Sequence, residues 1–204
     1  MQTATRQQVL DRLDVSRETS AKLDLYAETL IKWQARINLV APNTLSDLWH
    51  RHILDSAQLH ALLPADPIVV DLGSGAGFPG LVLGILGVRE LHLVESDARK
   101  IAFLREVARL TDTPVTLHNK RIETVAPVAA DVVTARALAP LPLLLRYAHP
   151  FLGDRGIGLF LKGETAAAEM AEAERDWHMD STMLPSLTHP DARILRVEHI
   201  RHVE

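Results

Sequence analysis

The segment from Ile68 to Leu86 constrains the fold more than any other part of this chain. Ile68-Val69-Val70 is a short β-branched run, and Asp71-Leu72-Gly73-Ser74-Gly75-Ala76-Gly77-Phe78-Pro79-Gly80 is dense in glycine. Leu81-Val82-Leu83-Gly84-Ile85-Leu86 then supplies enough apolar length for a buried helix. Strand, glycine turn and helix in that order make a cradle in which a nucleotide-type ligand lies against backbone and a helix start. Read from Gly75, the glycines satisfy G-x-G-x-x-G through Gly77 and Gly80.

The pattern that follows repeats strand and helix. Leu91 to Val94, Val115 to Leu117, Asp131 to Thr134 and Gly156 to Leu161 read as strands. Between and after them lie helical stretches at Asp97 to Leu110, around Leu143 to Tyr147, and at Glu164 to Asp176. That alternation predicts right-handed β-α-β units, hence a mostly parallel sheet with helices on both faces. The end, Arg193 to Val203, is expected to pair with a strand near Met183 as an antiparallel hairpin at the sheet edge.

Residues 1–64 read as an N-terminal helical extension and 65–204 as the sheet domain, divided near Pro64 to Pro67. In the extension, Leu23, Tyr26, Leu30, Trp33 and Ile37 recur at spacings of three and four behind Ser16 and Glu18, the signature of a helix docked by one face. A second helix is expected from near Ser46 to Leu63.

Composition excludes several functions. With 47% apolar residues, 204 residues can fill one sizeable core. A formal net charge of −4 argues against coating nucleic acid by charge alone and leaves room only for a local basic patch. The absence of cysteine removes disulfides, thiolate zinc sites and a Cys nucleophile. Ten histidines do not make a metal site, because His50 and His52 stand two apart without a His-Glu-x-x-His arrangement. Met1 to Arg6 lacks the basic-then-apolar pattern of a leader, and no apolar run reaches the roughly 18 residues of a membrane span. A cytoplasmic protein is the expectation.

The ligand is narrowed by two carboxylates. Glu95 ends the second predicted strand twenty residues after Gly75, where a carboxylate can accept from ribose hydroxyls. That feature serves both NAD and S-adenosylmethionine, so an NAD-dependent oxidoreductase is the alternative on motif alone. Asp71 is expected to face the ligand; there it would repel a pyrophosphate and suit the cationic amino-acid end of S-adenosylmethionine. A P-loop lacks its Gly-Lys-Ser/Thr.

At this point the residues carry a specific resemblance. Arg51-His52-Ile53-Leu54-Asp55-Ser56, the glycine segment, Lys120-Arg121-Ile122-Glu123, Thr134-Ala135-Arg136-Ala137 and Lys162-Gly163 together resemble the bacterial RsmG (GidB) family of 16S ribosomal RNA guanine-N7 methyltransferases. The resemblance runs over nearly the whole chain. It implies a class I, Rossmann-like α/β fold with a mostly parallel seven-stranded sheet, helices on both faces and an N-terminal helical extension. It also implies S-adenosylmethionine as cofactor and transfer of its methyl group to one guanine in the 530 loop. The small ribosomal subunit or an assembly intermediate would be the partner, and a monomer is expected. A class I methyltransferase with a small-molecule or protein acceptor is the alternative, since fold does not choose the acceptor.

Carried over residue by residue, the resemblance implies cofactor contacts from Gly73, Phe78, Ile122, Glu123 and Arg136. Asp71, Gly75, Gly77 and Glu95 join them by position. Guanine N7 has a free lone pair, so the reaction needs no general base and rests on alignment. Arg136 is expected to orient the base and the cofactor carboxylate. Arg51, His52, Lys100, Arg121 and Lys162 are candidate phosphate contacts, and Phe78 or Trp49 could stack on a base.

Overall fold

A computed structural model describes residues 4–203. Met1 to Thr3, part of the stretch read for a leader, lie outside the described residues.

Seven strands form one sheet in the order β3-β2-β1-β4-β5-β7-β6. They are β1 (Ile68–Leu72), β2 (Glu90–Val94), β3 (Thr116–His118), β4 (Ala130–Arg136), β5 (Leu152–Lys162), β6 (Trp177–Pro185) and β7 (Arg193–His202). The first five pair in parallel, and β7 runs antiparallel to both β5 and β6. The expected terminal hairpin is present, with Met183 opposite Leu195. The strand order reverses between β1 and β4, and that is where an open parallel sheet leaves a crevice at the carboxyl ends of its strands.

The helices of the sheet region are α4 (Gly80–Ile85), α5 (Ala98–Leu110), α6 (Leu141–Ala148) and α7 (Ala166–Ala173). Asp97 caps α5 by accepting from the backbone N–H of Arg99 at 2.8 Å, which satisfies an otherwise orphaned donor. Ahead of the sheet, α1 (Arg6–Leu13) starts in a reciprocal capping box between Thr5 and Gln8, and α2 (Arg17–Gln34) is capped by Ser16. Leu23, Tyr26 and Leu30 of α2 are buried in the same core as Phe103 and Leu104 of α5. Each such side chain withdrawn from water contributes about 1.5–3 kcal/mol. The helix stops at Gln34, so Ile37 lies beyond it rather than on its face.

The second helix of the extension differs from expectation. In place of one regular helix from Ser46 to Leu63, the chain passes through a 3-10 segment (Pro42–Asp47), a π-helical turn (Trp49–Leu54), a single α turn, α3 (Asp55–Ala57), and a further 3-10 turn (His60–Leu62). Side-chain periodicity reports that a face is buried; it does not distinguish among helical pitches over so short a run. No helix among the described residues is long and apolar enough to cross a membrane.

Candidate active site

The glycine segment leaves β1 and turns through three residues at positive φ, Gly73 (+64°), Gly75 (+56°) and Gly77 (+92°), before α4 begins. An L side chain resists that conformation. The turn is held from two sides. The N–H of Ser74 donates to the carbonyl of Val94 at 3.0 Å, and the N–H of Gly75 donates to Oε2 of Glu95 at 3.0 Å. The other carboxylate oxygen of Glu95 accepts from the N–H of Asp97 at 2.8 Å, so this one side chain ties the loops after β1 and β2 together.

Asp71 requires a correction. It was expected to face the ligand, but it is 0% exposed and outside the cavity lining, tied beneath the loop. One oxygen accepts from the Thr134 hydroxyl at 2.7 Å, across the β1–β4 pairing, and the other from the N–H of Gly80 at 3.3 Å. Burial pushes its pKa up to about 6 against the hydrogen bonds that favour the charged form. The inference from charge alone failed because strand alternation and the turn aimed the side chain inward. Gly77 likewise lies outside the lining; its missing Cβ makes room for Leu81 and the Tyr26 hydroxyl.

Above the loop lies a cavity of about 420 Å³, within the roughly 300–1,000 Å³ of small-ligand sites. Gly73, Gly75, Phe78, Glu95, Ile122, Glu123 and Arg136 all border it. Lys100 and Arg121, read as phosphate contacts, stand on the rim of this same cavity. The lining suits S-adenosylmethionine: backbone from the glycine turn, the Glu95 carboxylate at the end of β2, and apolar surface from Ile122, Leu138 and Leu143. The fit at Gly73 is close, since a Cβ there would come within 2.5 Å of Leu138 Cδ1.

A second, wider groove of about 1,090 Å³ adjoins the first. Leu39 and the stretch Arg136 to Ala139 border both and form the wall between them. Ala137 adopts positive φ (+51°) at this wall. Arg136 is held tightly there. Its Nη1 donates to the carbonyl of Arg51 at 3.3 Å and lies 3.6 Å from Asp55 Oδ2, its Nη2 meets His52 Nδ1 at 2.9 Å, and its guanidinium sits 4.9 Å from the Phe78 ring centre. Burial lowers its pKa, with the Asp55 charge the first of the influences opposing that shift. A guanidinium has no acceptor and stays charged, so His52 Nδ1 must accept.

That assignment corrects the reading of His52 as a phosphate contact. Its Nε2, 2.8 Å from the Thr44 hydroxyl, carries the proton, and the Thr44 hydroxyl in turn donates a hydrogen bond to the Ala41 carbonyl at 2.7 Å. Burial, then the Arg136 and Arg51 charges, depress its pKa to about 3, so the ring is neutral and buried. Phe78 is not free to stack on a base, since Tyr26 and His52 stack against it at centroid distances of 5.2 and 5.1 Å. Trp49 lies under the Arg6 guanidinium.

Lys162 is the other correction. Its side chain is 9% exposed, with Nζ donating to the Ala139 carbonyl at 2.6 Å and to Glu169 Oε2 at 2.7 Å. The same Glu169 oxygen accepts from the N–H of Leu141 at 2.8 Å. Lys162 is thus a latch on the dividing wall rather than a free cation. Of the predicted basic contacts, Arg51 remains exposed on the groove side.

Tyr26, Thr44, Asp55 and Leu138 were missed as members of the site. Tyr26 read as an ordinary core residue of a helix face, yet its hydroxyl donates to the Ala76 carbonyl inside the glycine turn. The only available signal was a phenolic hydroxyl on an otherwise apolar stripe, which must find a partner when buried.

A family model described as rRNA small subunit methyltransferase G matches residues 19–196. A protein of Paramagnetospirillum magneticum named ribosomal RNA small subunit methyltransferase G is 57% identical over 97% of this chain and 95% of its own. One of Methylorubrum extorquens with the same name is 50% identical over the full length of both. Among solved structures, M. jannaschii TYW2 in complex with AdoMet shares the fold, with a TM-score of 0.59 at 15% identity over 83% of this chain and 80% of that one.

Proposed function

This chain belongs to the rRNA small subunit methyltransferase G family, and on that premise we propose that it methylates N7 of a guanine in the 530 loop of 16S ribosomal RNA. The observation that carries the reading is the shared wall. One cavity fits S-adenosylmethionine, a groove wide enough for a nucleotide adjoins it, and Arg136 stands where they meet.

When bound, S-adenosylmethionine would supply a sulfonium methyl. The guanine N7 lone pair would form the new C–N bond as the C–S bond breaks, its electron pair leaving with S-adenosylhomocysteine, and no proton need leave the base. The protein therefore has to hold and align. Gly73 and Gly75 present backbone, Glu95 offers its remaining lone pairs to ribose hydroxyls, and Ile122 with Leu138 provides apolar contact for an adenine. Arg136, fixed by His52 and Asp55, offers its cation to the wall side of both sites. Arg51 is the phosphate contact on the groove side, with the assembling or mature small subunit in the cytoplasm as partner and a monomer as the working form.

Labelled methyl transfer to small-subunit RNA, with the modified base mapped, tests this. One N7-methylguanosine in the 530 loop is the expected result, and transfer to another base or none at all overturns it.

A further inference from the structure

Methylation at N7 leaves a selectivity problem, because adenine presents the same lone pair at N7. The two bases differ on the opposite edge, where guanine offers N1–H and N2–H donors and adenine an N1 acceptor. A carboxylate there accepts both guanine donors and repels adenine.

Five carboxylates border the wide groove, and two of them are already engaged. Asp55 accepts from Gln58 Nε2 and the Thr188 hydroxyl on one oxygen and faces Arg136 with the other. Glu169 is bound by Lys162, Thr165 and Leu141. Asp191 and Glu164 are solvent-exposed, so an added hydrogen bond there would contribute little. Asp47 differs. Its Oδ1 is the one buried side-chain polar atom without a hydrogen-bond partner among the described residues, and its Oδ2 lies 3.6 Å from His50 Nδ1, beyond a hydrogen bond. In the 3-10 segment, side chains three apart eclipse, which puts Asp47 one turn beyond Thr44, the residue that supports His52 and through it Arg136. The side chain is 24% exposed, and the broad terminal torsion of an aspartate lets either oxygen turn to the groove.

We infer that Asp47 selects guanine by accepting from N1–H and N2–H of the target base, an inference that rests on the guanine-N7 reading above. The contact also favours the reaction. As N7 forms its bond to the methyl group the ring becomes cationic and N1–H a stronger donor, so the carboxylate binds the transition state more tightly than the ground state.

The test compares small-subunit RNA carrying guanine or inosine at the target, inosine lacking the N2 donor. The wild-type enzyme is expected to lose about tenfold or more in kcat/KM with inosine. Asp47→Asn should lose about tenfold or more on guanine, mainly in kcat, and its guanine-to-inosine ratio should collapse toward one. Glu164→Gln should keep the wild-type ratio. An unchanged ratio in Asp47→Asn overturns the proposal, as does a wild-type enzyme indifferent to inosine, which needs no variant to fold. A wild-type enzyme that fails on guanine RNA itself would instead overturn the proposed function. An unaltered melting shift with S-adenosylmethionine establishes that the variant is intact.

Discussion

Arg136 Nη2 lies 2.9 Å from His52 Nδ1, and because a guanidinium can only donate, this contact fixes both the tautomer and the neutral state of a buried histidine. Replacing His52 with lysine would set two cations against each other, whereas His52→Asn keeps an acceptor in reach. We expect His52→Lys to lose methyl transfer by about a hundredfold or more and His52→Asn by roughly tenfold, consistent with hydrogen bonds to charged groups of about 1.5–3 kcal/mol. Single-turnover rates on small-subunit RNA check this; equal rates in the two variants would remove the role given to the pair.

Stability against pH carries two opposed signatures. His52, with a folded pKa of about 3 against an ordinary 6.5, stays neutral while the unfolded chain takes up a proton, so its contribution falls as pH drops through 6.5 toward 3. Asp71 does the reverse. With its folded pKa raised to about 6 from 3.8, it favours the folded state fully below 3.8 and loses that contribution as pH rises through 6. Each reaches about 1 kcal/mol per pH unit. Urea denaturation between pH 4 and 6 should therefore show a steeper acid loss in Asp71→Asn than in wild type, and a shallower one in His52→Asn.

The wall between the cavities presses on the glycine turn. Gly73→Ala places a Cβ 2.5 Å from Leu138 Cδ1 at a φ of +64°. We expect a cofactor affinity at least tenfold weaker by calorimetry. Trimming Leu138 to Ala in the same chain should recover part of that loss and leave the backbone strain of about 1–2 kcal/mol.

The latch predicts a division among the basic residues. Lys162→Met leaves Glu169 without its cation and should lower stability by about 3 kcal/mol, the lower end for a broken buried pair, without altering the salt slope of RNA binding. Arg51→Gln should reduce that slope by about one and leave the melting temperature alone. A reduced slope in Lys162→Met would return this lysine to the RNA surface.

Tyr26 joins the N-terminal helices to the cofactor turn. Tyr26→Phe removes the donor to the Ala76 carbonyl while keeping the stack on Phe78. A loss of about 1 kcal/mol in stability, with weaker S-adenosylmethionine binding by thermal shift, is the expected outcome.

The parallel sheet, its glycine turn and the terminal hairpin were legible because they rest on local signals. β-branched runs, positive-φ glycines and helix faces write themselves into neighbouring residues. The resemblance in the motifs added the cofactor and the acceptor, which no spacing could supply.

Direction and burial were not legible. Asp71, His52 and Lys162 are ionisable residues in motifs, and each could as well have faced ligand, solvent or core from sequence alone. The outcome depended on partners that only folding brings into reach: Thr134 for Asp71, Arg136 for His52, and the Ala139 carbonyl, together with the nearer Glu169, for Lys162. The sequence by itself determined the order of strands and helices and the conformation of the turn, since those follow from steric preferences over a few residues. Only the tertiary structure decided which charges were desolvated and paired, because that energy belongs to contacts formed when distant segments pack.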